Sequence, residues 1–192
     1  MDRRLLSWAY ATRRQAGLPR LWLFTDARRL ADPLGAAARL PRGLAGVVLR
    51  HDGELGRAAL GRDLARICRA RRLALVVAGD TRLAAALGAG VHLRSGRWPS
   101  VLRRRRCLIT SSAHDGADLV RAYRAGAGLV FLSPVFATLS HPDSTALGPV
   151  RWARFARSAP LPLAALGGVD GLNIRRLPPR FCRGVGAIGA LS

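Results

Sequence analysis

The stretch Leu163-Ala164-Ala165-Leu166-Gly167-Gly168-Val169, followed by Gly184-Val185-Gly186-Ala187-Ile188-Gly189-Ala190, decides the fold of this 192-residue chain. Each part is a short apolar run that passes straight into glycine. A run without polar alternation is a strand buried on both faces, as in a parallel sheet covered by helices. Working outward, runs of the same kind recur at 21–25, 46–50, 73–78, 90–93, 107–110 and 128–133, which with 163–166 and 184–188 makes eight. Between them apolar residues fall at helical spacing, such as Leu60, Leu64, Ile67 and Cys68, or Leu119, Val120 and Tyr123 behind Asp118, and each such face would cover a strand. Eight β–α units close into one (β/α)8 TIM barrel domain over 1–192, with a doubly wound open sheet as the alternative.

The two ends modify that plan. Residues 3–16 read as an extra amphipathic helix ending near Gly17 and Pro19, so 1–18 is a helical extension expected to cap the barrel bottom. Ser192 follows directly on the eighth strand, which makes the last helix truncated or missing. The N-terminal helix or a second copy of the chain would then have to cover the exposed apolar face, and a homodimer is the expectation.

Composition removes several classes of function. An apolar fraction of 49% fills a core and excludes a disordered or collagen-like chain. No apolar run approaches the roughly 18 to 20 residues of a membrane span, and the N-terminus has no signal-type apolar core, which points to the cytoplasm and away from a membrane. Cys68, Cys107 and Cys182 are odd in number and widely spaced, as expected of buried free thiols. The charge of +21 comes from 32 basic residues that are all arginine, so no lysine is present to form a Schiff base. Arg103-Arg104-Arg105-Arg106 could meet a phosphate backbone, but only 6% of residues are aromatic. Without a stacking platform a solvated basic face is the better reading, and nucleic acid is not the expected partner.

In such a barrel the chemistry sits on loops after the strands' C-terminal ends, and the loops after strands seven and eight commonly hold a phosphate on backbone amides. Gly167-Gly168 and Ile188-Gly189 fall at those positions, where glycine lets an oxygen approach the N–H groups. Of the histidines, His92 lies inside an apolar strand and reads as a core imidazole. His114 opens a helix near Asp115 and Asp118. His141 stands in a loop with Asp143 close enough in sequence to orient it, the arrangement of an acid/base pair.

Several of these segments resemble the thiamine-phosphate synthase/TenI superfamily. Ser112-Ala113-His114 is similar to its Ser-x-His after strand five, residues 133–140 (Ser-Pro-Val-Phe-Ala-Thr-Leu-Ser) to its Gly-Pro-Val-Phe-x-Thr-x-Thr, and Ala165-Leu166-Gly167-Gly168-Val169 to its Ile-Gly-Gly-Ile. Gly88-Ala89-Gly90-Val91-His92-Leu93 and Phe24-Thr25-Asp26 resemble the entry to its fourth strand and the exit of its first. The resemblance implies a thiamine-biosynthesis barrel with transferase or tautomerase activity, the synthase joining an aminopyrimidine diphosphate to a thiazole phosphate with Mg²⁺. It implies that Thr138, Ser140, Gly167, Gly168, Ile188 and Gly189 hold the thiazole phosphate and that Arg50 and Ser112 touch substrate; by loop position rather than by the resemblance, His141 with Asp143, and His114 on the adjacent loop, are the candidates for catalysis.

The first half departs from the family pattern. Of Gln-x-Arg-x-Lys after strand two only Arg50 remains, beside Val48; Asn-Asp-Arg after strand three has become Ala78-Gly79-Asp80. The metal-binding acid after strand four is replaced within Arg94-Ser95-Gly96-Arg97, and His141 stands for the lysine after Thr-x-Thr. Mg²⁺ would depend on Asp52 or Asp80 as substitute ligands. The TenI-type histidine before Val-Phe is Pro134 here. A non-catalytic thiazole-phosphate or thiamine-phosphate binding or regulatory protein is therefore the alternative function, with polyanion binding the third.

Overall fold

Strands β1 (Leu21–Phe24), β2 (Ala45–Leu49), β3 (Ala74–Ala78), β4 (Gly90–Leu93), β5 (Ile109–Ala113), β6 (Leu129–Leu132), β7 (Leu163–Leu166) and β8 (Cys182–Ala187) pair in parallel, each with the next. β8 returns to β1 through Leu21↔Val185, Trp22↔Gly186 and Leu23↔Ala187, which closes the barrel. The computed structural model describes residues 1–12, 17–99, 107–138 and 145–192. Among these, helices α1 (Arg3–Ala11), α2 (Pro33–Arg39), α3 (Arg57–Arg71), α4 (Thr81–Ala86), α5 (Gly116–Arg124) and α6 (Gly148–Ser158) form. None is long and apolar enough to cross a membrane.

Aromatic rings fill the lumen because glycines on the neighbouring strands make room for them. Phe131 meets Phe24 edge-on at 4.8 Å and Trp22 at 5.6 Å, and Phe24 meets the His92 ring at 5.6 Å. A Cβ at Gly46 would lie 2.6 Å from the Trp22 ring, and one at Gly186 would lie 2.7 Å from Phe24. Small residues therefore stand beside large ones on neighbouring strands, and the continuous apolar runs of the sequence reflect burial on both sheet faces.

Three expectations are corrected. α1 does not cap the bottom. Its first turn meets the C-terminal end of the barrel, where Asp2 N–H donates to Ala190 O and Gly171 N–H to Asp2 Oδ2. Two turns on, Trp8 lies against Arg20 at the entry to β1. α1 thus runs down the outer wall beside β8 and β1, burying Leu5 and Ala9 on the face that either this helix or a second copy was expected to cover. Strand five lies later than 107–110, because Thr110, Ser111 and Ser112 belong to it. Their hydroxyls are satisfied internally, so the polar run is invisible to a hydropathy reading. On α5 the buried face is Asp118, Leu119 and Ala122, while Val120 and Tyr123 point outward. Cys68 and Cys182 are buried and burial pushes each thiol up to about 12, whereas Cys107 is half-buried.

Candidate active site at the C-terminal mouth

Two cavities open side by side at the strands' C-terminal ends and share Leu166 as a wall. The first, about 460 Å³, is a cradle of main chain bounded by Thr138, Gly167, Gly168, Ile188 and Gly189. Gly167 (φ +89°) and Gly168 (φ +63°) follow β7 in the left-handed region, and a Cβ on Gly168 would stand 2.3 Å from Ala137 O. Only glycine fits there. A Cβ on Gly189 would meet nothing within 4 Å, so the cavity reaches its backbone freely. The carboxylates at the rim are turned inward. Asp2 accepts from Arg4, Leu5 and Gly171 N–H groups, and Asp170 from those of Leu172 and Asn173. Arg29 also lines this cavity, a residue with no motif of its own in the sequence. The turn that sets it, Asp26 Oδ1 accepting from the Arg28 and Arg29 N–H groups, was the available signal.

The second cavity, about 360 Å³, is lined by side chains, among them Arg50, His92, Arg94, Ser112 and His114. His114 N–H donates to Asp118 Oδ2 at 2.9 Å, and Asp115 caps α5, as expected of a helix-opening histidine. Its ring adds more. Nδ1 lies 2.9 Å from Ser133 O, and a carbonyl only accepts, so Nδ1 carries a proton and Nε2 is the nitrogen left to exchange one with a ligand. Asp118 is the hub beneath, also receiving the Ser95 hydroxyl (2.9 Å) and Arg121. Burial alone would raise its carboxyl, but these donors outweigh burial and hold it below the ordinary value. Ser112 Oγ accepts from Ser95 N–H at 3.2 Å.

His92 is the core imidazole expected, bound through Nδ1 to Thr110 Oγ1 at 2.9 Å, yet it also floors this cavity. Burial, then the charges of Arg50 and Arg94, push its pKa down to about 3, so it is neutral at working pH. His51, with φ +30°, is held by Thr25 Oγ1 at 2.9 Å.

The structure thus brings Thr138, Gly167, Gly168, Ile188 and Gly189 together in one cavity and Arg50, Ser112 and His114 in the other. Ser140, His141 and Asp143 lie outside the described residues, as does the run Arg103–Arg106. The carboxylates considered for Mg²⁺ do not fit it. Asp52 contacts both Arg57 and Arg94, and Asp80 faces Arg57 at 3.7 Å while capping α4 through Leu83 N–H. Among the described residues no three His, Cys, Asp or Glu side chains are grouped to hold a metal ion.

Comparison with known proteins adds a family. Residues 24–191 match the profile described as thiamine monophosphate synthase. The thiamine-phosphate synthase of Geobacillus kaustophilus is 32% identical over 142 residues, covering 70% of this chain and 63%, less than two thirds, of that protein. A putative thiamine-phosphate synthase 2 of Aquifex aeolicus is 29% identical, over 82% of this chain and 89% of its own length. The thiamine phosphate pyrophosphorylase of Pyrococcus furiosus shares the fold with a TM-score of 0.74 at 22% identity, covering 89% of this chain and 86% of that one.

Proposed function

The chain belongs to the thiamine monophosphate synthase family, and on that premise we propose that it takes a thiazole phosphate across its two adjoining cavities and acts on it as a transferase. The phosphate rests in the cradle on the N–H groups of Gly167, Gly168, Ile188 and Gly189, with Thr138 at its edge and Arg29 lining the same cavity. The ring crosses Leu166 toward Ser112 and His114, and Arg50 faces the diphosphate of the pyrimidine partner. In the transfer the thiazole nitrogen bonds to the pyrimidine's methylene carbon while the carbon–oxygen bond to diphosphate breaks and pyrophosphate leaves, a step that positioning and charge accelerate. The observation that carries this reading is the shared wall, because a ligand with its phosphate in one cavity must present its ring to the other.

Tautomerisation of a thiazole phosphate is the second reading, favoured by the His114 ring, whose Nδ1 is held on Ser133 O and whose Nε2 is left to exchange a proton. Calorimetric titration with hydroxyethylthiazole phosphate tests the part common to both. Gly189→Asp adds bulk and a like charge in open space, so affinity should fall by about 100-fold or more with the fold intact. Unchanged affinity would remove the cradle from the proposal. Product analysis, with and without the pyrimidine diphosphate, then separates transfer from tautomerisation and both from binding alone.

A further inference from the structure

At the β2–β4 side of the mouth, guanidinium groups stand where a divalent cation would need open carboxylate oxygens. Arg57, largely buried, lies 3.3 Å from Asp52 and 3.7 Å from Asp80 and donates to Ala78 O, so both of its terminal nitrogens are engaged. Arg94 contacts the other oxygen of Asp52. Mg²⁺ demands near-octahedral hard oxygens, and here each carboxylate already has a fixed cation beside it.

We propose that this side of the mouth holds its anionic group, a diphosphate ester or the pyrophosphate it releases, directly on Arg94 and Arg50 and without a divalent metal. The proposal rests on the reading that the second cavity faces the diphosphate partner. Arg94 is built for the task. Asp52 fixes one nitrogen of a group with five N–H donors, and the side chain stays 62% exposed. It packs over Gly79 (φ +66°), where a Cβ would stand 3.4 Å from the guanidinium. Arg50 is held more loosely, with Nη1 4.0 Å from Asp26, and lines the same cavity. Arg50, Arg94 and the His92 ring line one cavity. A guanidinium fork matches phosphate oxygens two at a time, and a pair of them can stabilise the charge that develops on departing pyrophosphate.

The test is calorimetric titration of the full chain with inorganic pyrophosphate, in EDTA and in excess Mg²⁺. Because pyrophosphate can also enter the glycine cradle, it is run in wild type and in Gly189→Asp, whose cradle is closed. Binding should persist in Gly189→Asp with EDTA, Arg94→Ala in that background should weaken it by about tenfold or more, and Mg²⁺ should not strengthen it. Arg94→Gln retains contact over Gly79 and serves if the alanine variant melts early. A tenfold gain with Mg²⁺, or a loss below about threefold in both Arg94 variants, overturns the proposal. Complete loss of pyrophosphate binding in Gly189→Asp also overturns it and leaves the cradle reading standing. Retained thiazole-phosphate binding in Gly189→Asp has the opposite meaning, sinking the cradle and sparing the arginine pair.

Discussion

The two sides of the mouth hold charge by opposite means. On the β7–β8 side the main chain does the work: Gly167 and Gly168 occupy conformations that exclude a Cβ, and the carboxylates Asp2 and Asp170 are folded inward onto backbone N–H groups. On the β2–β4 side, side chains from separate loops do it, Asp52 and Asp80 being clasped by Arg57 and Arg94. A backbone site is set by sterics and changes only if the chain path changes. A side-chain site can exchange one kind of charge for another while the barrel beneath is unaltered, and that is where this chain parts from the pattern it resembles.

The largest effect is expected at the seam between the sides. His114→Gln should lower tautomerisation of the thiazole by about 10²- to 10⁴-fold with ligand affinity within a few fold, since it removes a positioned acid/base. Steady-state kinetics with titration of the same variant checks it. A rate within a factor of about two of wild type would move the proton transfer to His141 and Asp143 and break the link between the halves.

Next in size is the steric claim for the cradle. Gly168→Ala forces a Cβ to within 2.3 Å of Ala137 O and an L-residue into φ +63°, so unfolding free energy should drop by about 3 kcal/mol. Gly189→Ala, with open space around its Cβ, should cost less than about 1 kcal/mol. Urea titration of the pair decides it. Equal stabilities would mean that the cradle is not fixed by its glycines.

These contrasts explain what the sequence could disclose. The eight strands and the glycine turns were legible because each is written in consecutive residues, apolar runs ending in Gly167-Gly168 or Ile188-Gly189. The Asp52–Arg57–Asp80–Arg94 group was not, because its members follow three different strands and only the pairing of β2, β3 and β4 brings them together. Among 32 arginines, no local signal separates Arg94 from a solvated neighbour. The path of α1 escaped for a related reason. An amphipathic pattern says that Leu5 and Ala9 are buried, not against which wall. Strand five was misplaced because its polar residues are paired inside the barrel.

A third measurement sharpens the charge of the arginine side. His92 has a native pKa of about 3, through burial first and then Arg50 and Arg94. Its depressed value means that the unfolded chain binds the proton first, so stability is full above pH 6.5 and declines as pH falls toward 3. From pH 6.5 to 5 the loss should be about 2 kcal/mol. His51, lowered by burial, adds in the same direction, whereas Asp2 and Asp118, lowered below the ordinary carboxyl value, keep their contribution until pH drops below that value. Denaturant melts at stepped pH, repeated on His92→Gln, should show the slope flatten. A slope that survives the substitution would assign it to other groups.

The smallest effect on stability concerns Arg57, and it asks whether the carboxylates of the arginine side are metal ligands held shut. Arg57 faces both Asp52 and Asp80, but its Nε is buried without a partner, so the ion pairs it makes are offset by a desolvated donor. Partly exposed pairs of this kind contribute at most about 1 kcal/mol each, and Arg57→Met, which restores apolar contact for the buried stem, should therefore change stability by only about 1 kcal/mol in either direction. Its effect on charge is larger. With Arg57 gone, Asp80 loses its cation and Asp52 keeps Arg94 alone; with Arg94→Ala added, both carboxylates stand without a guanidinium. Mn²⁺ titrations followed by electron paramagnetic resonance should show no binding at this side in wild type and weak binding in the double variant, since two carboxylates freed of neighbouring cations attract a divalent ion that two guanidiniums repel. If wild type already binds Mn²⁺ there, and Asp52→Asn removes that binding, the arginines are not a lock and the two sides of the mouth differ less than their geometry implies.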